Sequence, residues 1–309
     1  MSFRSGFVTL LGRPNTGKST LLNALVGAKL AIVSRQPQTT RTRLQGILTR
    51  EHAQLVFVDT PGTHEGPTRL NRRMMKTVQE ALEGIDAVLL VVDASRAPND
   101  EDDLALELAR SSGRPVVLAL NKIDLIDKPA LLPLIARYQQ RHDFRDYLPV
   151  SALRGENLPL LERALVAQLP EGPSLFPPDA LTDQPVRFLA AEIIREKILH
   201  ETRQEVPHAV AVVIEKFEEP AAQGDGAGPA ARGLTRILAT ILVEKDSQKG
   251  IIIGAGGQRL KKIGQAARKE IESLQGGKVF LVLYVKTRPD WRELPAVEQL
   301  IDWRHASEP

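Results

Sequence analysis

Residues 12–19 of the sequence read Gly12-Arg13-Pro14-Asn15-Thr16-Gly17-Lys18-Ser19. An apolar run over residues 7–11 comes directly before this stretch, and a pattern typical of a helix continues after it through residue 26. A strand, a glycine loop and a helix in this order fit the G-x-x-x-x-G-K-[ST] spacing of a phosphate-binding loop. The backbone N–H groups of such a loop and the positive end of the helix dipole bind phosphate groups. The alternative is a chance glycine-rich turn, which the flanking strand and helix disfavour.

Two side chains of this loop have predicted parts in nucleotide binding. Lys18 is expected to reach the β- and γ-phosphates, and the hydroxyl of Ser19 is expected to bind Mg²⁺. The predicted nucleotide contacts in this region are Gly12, Arg13, Pro14, Asn15, Thr16, Gly17, Lys18, Ser19 and Thr20. The loop alone is compatible with kinases, ATPases and GTPases, so the base must be identified from other residues.

The composition limits the class of protein. The chain has 309 residues, of which 42% are hydrophobic, and this favours two globular domains. It has no cysteine, which excludes disulfides, thiolate metal sites and thiol nucleophiles. No apolar run approaches the length of a membrane-spanning helix. The net charge is only +3, yet residues 245–269 contain seven basic residues against one acid, so any binding site for a polyanion is expected to be local.

Strand-like and helix-like segments alternate from the N-terminus to about residue 170. Predicted strands cover residues 6–11, 44–50, 55–59, 87–93, 116–121 and 147–150, and predicted helices cover residues 18–27, 70–82, 101–110, 131–140 and 157–169. This alternation predicts an α/β domain with a doubly wound, mostly parallel sheet over residues 1–172. Functional residues of such sheets lie at the carboxyl ends of the strands. A proline-rich stretch, residues 173–185, is predicted to be a semi-rigid linker.

Two polar segments are expected to face the γ-phosphate. Asp59 begins the motif Asp59-Thr60-Pro61-Gly62, in which the carboxylate could hold Mg²⁺ and the Gly62 N–H could face the phosphate at the start of a second switch over residues 62–67. The polar segment at residues 34–43 is interpreted as a mobile loop, in which Thr40, or alternatively Thr39, closes on Mg²⁺ and the phosphate. A plain turn and a solvated basic loop are the alternatives. The predicted Mg²⁺ ligands are Ser19, Thr40 and Asp59, and the predicted catalytic residues are Lys18, Thr40 and Gly62.

The next motif, Asn121-Lys122-Ile123-Asp124, indicates guanine as the base. A carboxylate at Asp124 can accept hydrogen bonds from the N1–H and 2-amino groups of guanine, which adenine does not offer, so it would select GTP over ATP. Asn121 would orient the purine edge and the loop, and the aliphatic stem of Lys122 would cover a face of the base. A polar strand end is the alternative. The predicted guanine contacts are Asn121, Lys122, Asp124, Ser151, Ala152 and Leu153, with the Ala152 N–H reading guanine O6.

After residue 185 the pattern changes to an α+β arrangement. The predicted order is helix, strand, strand, helix, the glycine loop Gly254-Ala255-Gly256-Gly257, helix and strand, with helices at residues 186–199 and 265–274 and strands at residues 209–216, 235–244 and 279–285. Such a loop lets a nucleic-acid backbone approach two helices and clamps about four nucleotides of a single strand. Aromatic residues are scarce, so readout is expected to use base edges and apolar contacts, and a plain helix–helix turn is the alternative. The predicted RNA contacts are Lys249, Ile252, Ile253, Gly254, Ala255, Gly256, Gly257, Arg259, Lys261 and Lys262.

These motifs together resemble the Era family of bacterial ribosome-assembly GTPases. In that family a GTP-binding domain of the type related to translation factors is followed by a smaller type II KH domain, here residues 186–309 with the C-terminal tail. The resemblance covers essentially the whole chain and rests on residues 12–19, 38–41, 59–62, 121–124, 151–153, 192–197 and 253–263. It implies GTP hydrolysis with Mg²⁺ and binding to the 3′ end of small-subunit ribosomal RNA during assembly of the small ribosomal subunit.

The same resemblance implies further properties and shows two departures. Asn15 could support a K⁺ ion, and the protein is expected to be a cytoplasmic monomer with loose peripheral association at the inner face of the cell membrane. Thr63 stands where the family tends to carry a bulky apolar residue and where Ras-like GTPases place a glutamine, so slow intrinsic hydrolysis is expected. The second departure is a Gly/Ala/Pro-rich insertion at residues 220–233.

Three other functions remain open at this point. One is an RNA-binding assembly chaperone that uses GTP as a structural ligand. Another is a GTPase that acts on a different RNA, such as transfer RNA. The third is a P-loop ATPase or kinase.

Overall fold

The structure is a computed structural model that describes residues 2–34, 36, 39–63, 68–203, 206–220 and 233–293. The chain divides into two compact units, one of Met1–Pro67 with Asn71–Asp183 and the other of Thr68–Leu70 with Gln184–Pro309. The predictions for residues 64–67 of the second switch, for residues 221–232 of the insertion and for the tail after residue 293 lie outside the described residues.

The first unit contains a six-stranded sheet with the strand order β2-β3-β1-β4-β5-β6. Its strands are β1 (Arg4–Leu11), β2 (Leu44–Thr49), β3 (Ala53–Asp59), β4 (Ala87–Asp93), β5 (Val116–Asn121) and β6 (Asp146–Val150). Its helices are α1 (Lys18–Val26), α2 (Arg69–Glu80), α3 (Asp100–Ser111), α4 (Leu131–Gln139) and α5 (Leu158–Val166). β2 pairs antiparallel with β3 and the other neighbours pair in parallel, which confirms the predicted mostly parallel sheet.

The central strands read as continuous apolar runs because both faces of the sheet are covered. All seven residues of β4 are buried, and Val88, Leu90 and Leu118 share one core cluster with Leu106 of α3. In the parallel part of the sheet the carboxyl ends of the strands lie at one edge. The residues that follow or end β1, β3, β4, β5 and β6 therefore meet at that edge.

The proline-rich segment after α5 lies along the first unit. Gln54, which is fully buried, donates from Nε2 to the carbonyl oxygen of Phe176 (3.0 Å) and accepts from the N–H groups of Leu175 (2.7 Å) and Phe176 (2.9 Å). Farther along, the N–H of Ile47 on β2 donates to the carbonyl oxygen of Leu181 (2.8 Å). β2 is the edge strand, so this segment supplies a partner for the exposed edge of the sheet.

The second unit contains a three-stranded sheet with the order β7-β8-β9 and, among its described residues, three α-helices. β7 and β8 are antiparallel, β8 and β9 are parallel, and Ile263, Ala267 and Ile271 of the last helix are fully buried. The element order agrees with the predicted α+β arrangement. The elements are α6 (Val186–Glu201), β7 (Ala211–Glu218), β8 (Thr235–Val243), α7 (Asp246–Ile253), α8 (Gln258–Gln275) and β9 (Val279–Thr287).

The main difference from the predicted boundaries is at α8. This helix begins at Gln258, directly behind the glycine loop, and not at residue 265. Trp291 is fully buried and its Nε1 donates to the carbonyl oxygen of Ala209 (2.9 Å), so it belongs to the core of the second unit. No helix among the described residues is long and apolar enough to cross a membrane.

Candidate nucleotide site and nucleic-acid groove

The phosphate loop joins β1 to α1 in a conformation that requires glycine at two positions. Gly12 has a φ of +148°, and a Cβ there would lie 2.2 Å from the carbonyl oxygen of Val91. Gly17 has a φ of +95°, and a Cβ there would lie 2.4 Å from Nδ2 of Asn121. The loop is therefore closed against the ends of β4 and β5.

Lys18 is the buried cation of this loop. Its Nζ donates to the carbonyl oxygens of Gly12 (2.7 Å) and Arg13 (3.0 Å). Burial lowers the pKa of Lys18 to about 8, although nearby carboxylates, chiefly Asp59, oppose the shift. An anionic phosphate bound in the loop would favour the charged form of the amine.

Three oxygen-bearing side chains converge beside Lys18 and fit a Mg²⁺ site. Ser19 Oγ donates to Asp59 Oδ2 (2.7 Å), and Thr40 Oγ1 lies 2.8 Å from Ser19 Oγ and 3.4 Å from Asp59 Oδ2. Asp59 Oδ1 is buried and has no hydrogen-bond partner in the described part of the chain. Burial raises the pKa of Asp59 despite the opposing charge of Lys18, so a cation next to this carboxylate would stabilise its charged form. Oxygen ligands of this kind are those that Mg²⁺ prefers.

The geometry also separates the two threonines of the first switch. The hydroxyl of Thr39 donates to the carbonyl oxygen of Gln36 (2.6 Å) and lies 2.7 Å from Ser34 Oγ, so it faces its own loop. Thr40, in contrast, contacts both Ser19 and Asp59. The structure therefore favours Thr40 as the switch residue.

Gly62 and Thr63 lie next to the phosphate loop. A Cβ on Gly62 would lie 2.7 Å from the Cα of Pro14, so the chain passes too close for any side chain at this position. Thr63 is fully buried, its N–H donates to the carbonyl oxygen of Gly12 (3.2 Å) and its hydroxyl donates to the carbonyl oxygen of Glu101 (3.2 Å). The hydroxyl is thus engaged with α3 and is not available to orient a water molecule.

Asn121 joins the phosphate loop to the loop after β6. Its Nδ2 donates to the carbonyl oxygen of Thr16 (2.8 Å), and its Oδ1 accepts from the N–H of Ala152 (3.0 Å). The predicted orienting role of Asn121 agrees with these contacts. The predicted contact from the Ala152 N–H to guanine O6 would compete with the hydrogen bond to Asn121.

The orientation of Asp124 is fixed by a second predicted residue. Ser151 is fully buried and its hydroxyl donates to Asp124 Oδ1 (2.6 Å), while the same oxygen of Ser151 accepts from the N–H of Arg154 (3.1 Å). The side chain of Leu153 is 80% exposed. Ser151 is therefore placed to hold the Asp124 carboxylate, which is predicted to read guanine; the sequence alone had indicated only that Ser151 lies near the base.

Asp93 is a residue of this site that the sequence reasoning missed. Lys122 Nζ donates both to Asp93 Oδ2 (2.6 Å) and to the carbonyl oxygen of Asn15 in the phosphate loop (2.6 Å). Asp93 Oδ1 accepts from the hydroxyl (2.6 Å) and the N–H (3.0 Å) of Ser95. Burial would raise the pKa of Asp93, but the hydrogen bonds from Lys122 and Ser95 outweigh it and lower the pKa. The signal was available, because Asp93 ends an apolar strand at the functional edge of the sheet.

The side chain of Arg13 forms an ion pair away from the predicted phosphate contacts. Its Nε lies 3.1 Å from Asp102 Oδ2 in the first turn of α3, and both side chains are largely buried. The carbonyl oxygen of Arg13 accepts from Lys18 and from the hydroxyl of Thr16 (3.1 Å). Any contact between Arg13 and nucleotide would therefore be made by its backbone.

The second unit carries a glycine loop and an open groove. Gly254, Gly256 and Gly257 have φ values of +70°, +55° and +79°, which other residues rarely adopt. The groove beside the loop has a volume of about 450 Å³. It is lined by Gly257, Leu260, Lys261, Gly264, Gln265, Arg268, Leu281 and Leu283. Gly257 and Lys261 were predicted contacts, whereas the lining from β9 was not predicted because it comes from a distant strand.

Three other predicted RNA contacts are placed differently. Ile252 is fully buried, so its side chain belongs to the core and the prediction that it contacts RNA does not fit. Lys262 pairs with Glu201 of α6 (2.9 Å) outside the groove. The guanidinium of Arg259 donates to the carbonyl oxygen of Ile251 at the end of α7. Of the adjacent lysines, Lys261 is the one that lines the groove.

Comparisons with known proteins agree with this division of the chain. Residues 7–122 match the family described as 50S ribosome-binding GTPase, and residues 205–292 match the KH domain family. GTPase Era of Syntrophus aciditrophicus is 51% identical over 293 residues, which is 95% of this chain and 93% of that protein. This chain belongs to the Era family of GTPases. GTPase Era of Geobacter metallireducens is 50% identical over 291 residues, with 94% and 95% of the two chains covered.

Solved structures of Era share the fold of the whole chain. A crystal structure of Era in complex with MgGDPNP and nucleotides 1506–1542 of 16S ribosomal RNA matches with a TM-score of 0.91 at 39% identity, covering 97% of this chain and 99% of that one. A variant of Aquifex aeolicus Era bound to GDP.AlF4⁻ matches with a TM-score of 0.90 at 38% identity and the same coverage. The predicted Era family, the GTPase activity and the order of a GTPase domain and a KH domain are confirmed.

Proposed function

We propose that this Era-family GTPase is a molecular switch that binds the 3′ end of small-subunit ribosomal RNA and acts in assembly of the small ribosomal subunit. The observation that carries the proposal is the presence, in one chain, of a guanine-nucleotide site with fitting Mg²⁺ ligands and a KH groove. The Era whose structure matches 97% of this chain was crystallised with both MgGDPNP and a 16S ribosomal RNA segment.

At the nucleotide site each residue has a distinct part. Lys18 binds the β- and γ-phosphates, the Gly62 N–H faces the γ-phosphate, and the Asp124 carboxylate held by Ser151 reads guanine. Ser19, Thr40 and Asp59 would hold Mg²⁺, which when bound supplies positive charge beside the phosphates. Catalysis by this chain is electrostatic, from Lys18 and backbone N–H groups, and it is slow because Thr63 cannot orient the attacking water.

Asn15 is proposed to support a K⁺ ion that adds charge at the phosphates. It is exposed, has a φ of +63° and lies in the phosphate loop, where its own carbonyl oxygen accepts from Lys122. At this position the residue is exposed beside the loop in which the phosphates are expected to bind.

RNA binding is proposed to depend on the nucleotide state. GTP orders the segments around Thr40 and Gly62, and RNA and GTP then favour each other, because coupling between two sites is reciprocal. Hydrolysis would release the RNA. The groove residue Lys261 would contact a phosphate of the RNA, and its positive charge contributes to affinity for any sequence.

The test is a titration of a labelled RNA that copies the 3′ end of small-subunit ribosomal RNA, followed by fluorescence anisotropy in GDPNP and in GDP. Lys261→Ala is compared with its neighbour Lys262→Ala, which is the matched control because Lys262 pairs with Glu201 outside the groove. We expect tighter binding in GDPNP, weaker binding for Lys261→Ala with a salt slope reduced by about 1, and wild-type binding for Lys262→Ala.

Several outcomes would contradict parts of the proposal. Equal affinity in GDPNP and GDP would refute the switch. No multiple turnover of GTP by protein saturated with RNA would favour the assembly chaperone with structural GTP. Tighter binding of transfer RNA than of the ribosomal segment would move the target to transfer RNA.

We also place the protein in the cytoplasm as a monomer, with peripheral association at the inner face of the cell membrane, on the basis of the family resemblance. Fractionation of cells in low and high salt tests the location, because peripheral association of a protein through charge is released by salt. Light scattering of the purified chain tests the monomer.

A further inference from the structure

The two faces of β9 carry different side chains. β9 is an edge strand of the sheet, paired only with β8 among the described strands, and alternate residues of a strand point to opposite faces. Leu281 and Leu283 line the groove beside the glycine loop. Phe280 and Tyr284 therefore lie on the outer face, and they are 55% and 52% exposed. They are the exposed aromatic side chains of the described part of the chain.

The surroundings of these rings are apolar at the centre and basic at the margins. Val282, which lies between the rings, and its register partner Leu238 on β8 are half-buried and form the floor. Lys278 precedes Phe280 on the same face, and Arg236 on β8 is in register with Phe280; both are exposed. At the other end of β9, Lys286 pairs with Glu215 (3.1 Å), which also accepts from Thr240. At the Phe280 end, Glu218 of β7 is in register with Arg236 and pairs with Lys216 (2.6 Å), so Arg236 and Lys278 give this end its net positive charge.

We propose that this outer face, defined by Lys278, Phe280, Val282, Tyr284 and Arg236, is a second RNA-binding surface on which bases of the strand leaving the KH groove stack. The proposal rests on the proposed RNA-binding function. The Cα atoms of Phe280 and Tyr284 are about 13 Å apart along the strand, so each ring would stack on a different base. Arg236 and Lys278 would contact the phosphates between them.

The first argument for RNA is continuity with the groove. The edge strand β9 lines the groove with Leu281 and Leu283, and its opposite face carries the exposed rings of Phe280 and Tyr284. A strand of RNA that leaves the groove across β9 meets the outer face without crossing any other element of the sheet. The groove of a KH domain holds about four nucleotides. The Era relative was crystallised with nucleotides 1506–1542, which is far more RNA than such a groove holds.

The second argument is chemical. Two exposed aromatic rings on one face, with apolar side chains between them, form a contiguous apolar patch of the kind that marks a binding surface, and every base offers a flat π-face for stacking. Basic side chains beside the rings complement the phosphate backbone. A protein-docking face is expected to be broadly aliphatic. Apart from the two aromatic rings and the floor of Val282 and Leu238, this surface consists of the charged residues Lys278 and Arg236.

The test compares two RNAs from the 3′ end of small-subunit ribosomal RNA: a short one of six nucleotides that fits the groove and a long one of fourteen. The full-length chain in GDPNP is titrated by anisotropy as wild type, as Phe280→Ala/Tyr284→Ala, and as Phe280→Tyr/Tyr284→Phe, which keeps both rings. Leu160→Ala removes a similarly exposed apolar side chain from the first unit and serves as the control. GDP affinity and thermal unfolding report whether each variant is folded.

We expect the double alanine variant to bind the long RNA at least about tenfold more weakly and the short RNA with wild-type affinity. The variant that keeps both rings and the Leu160→Ala variant should bind both RNAs like the wild type. If the double alanine variant binds the long RNA with wild-type affinity, the inference is overturned. The proposed function would still stand if Lys261→Ala weakens the binding of both RNAs.

Other results would also overturn the inference. If the double alanine variant loses affinity for the short and the long RNA equally, the rings act through the groove. If the double alanine variant no longer sediments with vesicles of anionic phospholipid but keeps its affinity for the long RNA, the face binds a membrane and not RNA. Failure of the wild type to bind either RNA would refute the proposed function, and the second surface would fall with it.

Discussion

Replacing Asp93 with asparagine should accelerate the release of GDP, although Asp93 is not expected to touch the nucleotide. Lys122 Nζ is held between Asp93 Oδ2 and the carbonyl oxygen of Asn15, each at 2.6 Å. With both partners in place, the aliphatic stem of Lys122 is fixed where the guanine base is expected to bind. Asp93→Asn keeps the shape of the side chain but removes the charge that orients the ammonium group.

The size of the effect follows from the environment of the pair. Hydrogen bonds to charged groups contribute about 1.5–3 kcal/mol. The side chain of Asp93 is 3% exposed, whereas that of Lys122 is 27% exposed, so solvent reduces the contribution to about 1–2 kcal/mol. If the whole of this contribution, about 1–2 kcal/mol, is lost from GDP binding, the affinity for GDP falls by about 5- to 30-fold.

The assay is the dissociation rate of a fluorescent GDP analogue from wild type, Asp93→Asn, Lys122→Ala and the double variant. If Asp93 acts through Lys122, the two effects are not additive and the double variant resembles Lys122→Ala. Arg96→Ala is the matched control, because Arg96 lies 3.9 Å from the same carboxylate but is 69% exposed. Wild-type release by a folded Asp93→Asn variant, or additive effects, would refute the reasoning.

Four further results are expected. Arg13→Ala should lower the free energy of unfolding by about 3 kcal/mol, because it leaves the Asp102 carboxylate buried without its ion pair; Asp102→Asn in the same chain should restore most of it in a denaturant titration. Thr63→Val should leave the GTP hydrolysis rate unchanged while costing about 1 kcal/mol of stability, and a large change in rate would show that the hydroxyl takes part in catalysis. Gln54→Leu should expose residues 173–183 to limited proteolysis, because the N–H groups that Gln54 pairs lose their acceptor; cleavage at the wild-type rate would contradict this. GTP hydrolysis should be faster in K⁺ than in Na⁺ at equal ionic strength, and equal rates would remove the proposed role of Asn15.

The sequence identified the phosphate loop because that motif is local and its backbone conformation is constrained. Gly12 and Gly17 have φ values of +148° and +95°, which other residues rarely adopt, so the local pattern alone identifies the loop. The parallel sheet then determines that Asp59, Asn121 and Ser151 lie at one edge. Asp93 ends a strand at the same edge, but it belongs to no short motif, and its partner Lys122 follows a different strand, β5.

The surface of the second unit was harder to predict because the sequence does not show which strand lies at the edge. Leu281 and Phe280 are neighbours in an apolar run, and only the pairing of β9 with β8 separates a groove residue from an exposed one. The same limitation applies to Ile252 and Lys262. Helical spacing places them near the glycine loop, but packing against the core or α6 turns their side chains away from the groove.

The first turn of α3 links the helix to the chemistry of the site in a way that no single motif shows. Asn99 and Asp102 form a capping box, so Asp102 is fixed at the start of the helix. Arg13 of the phosphate loop pairs with the Asp102 carboxylate, and the preceding carbonyl oxygen, that of Glu101, accepts from Thr63 of the second switch. One helical turn therefore holds both the phosphate loop and the start of the second switch. Because the hydroxyl of Thr63 is engaged with Glu101, its loss in Thr63→Val is expected to cost stability and to leave the hydrolysis rate unchanged.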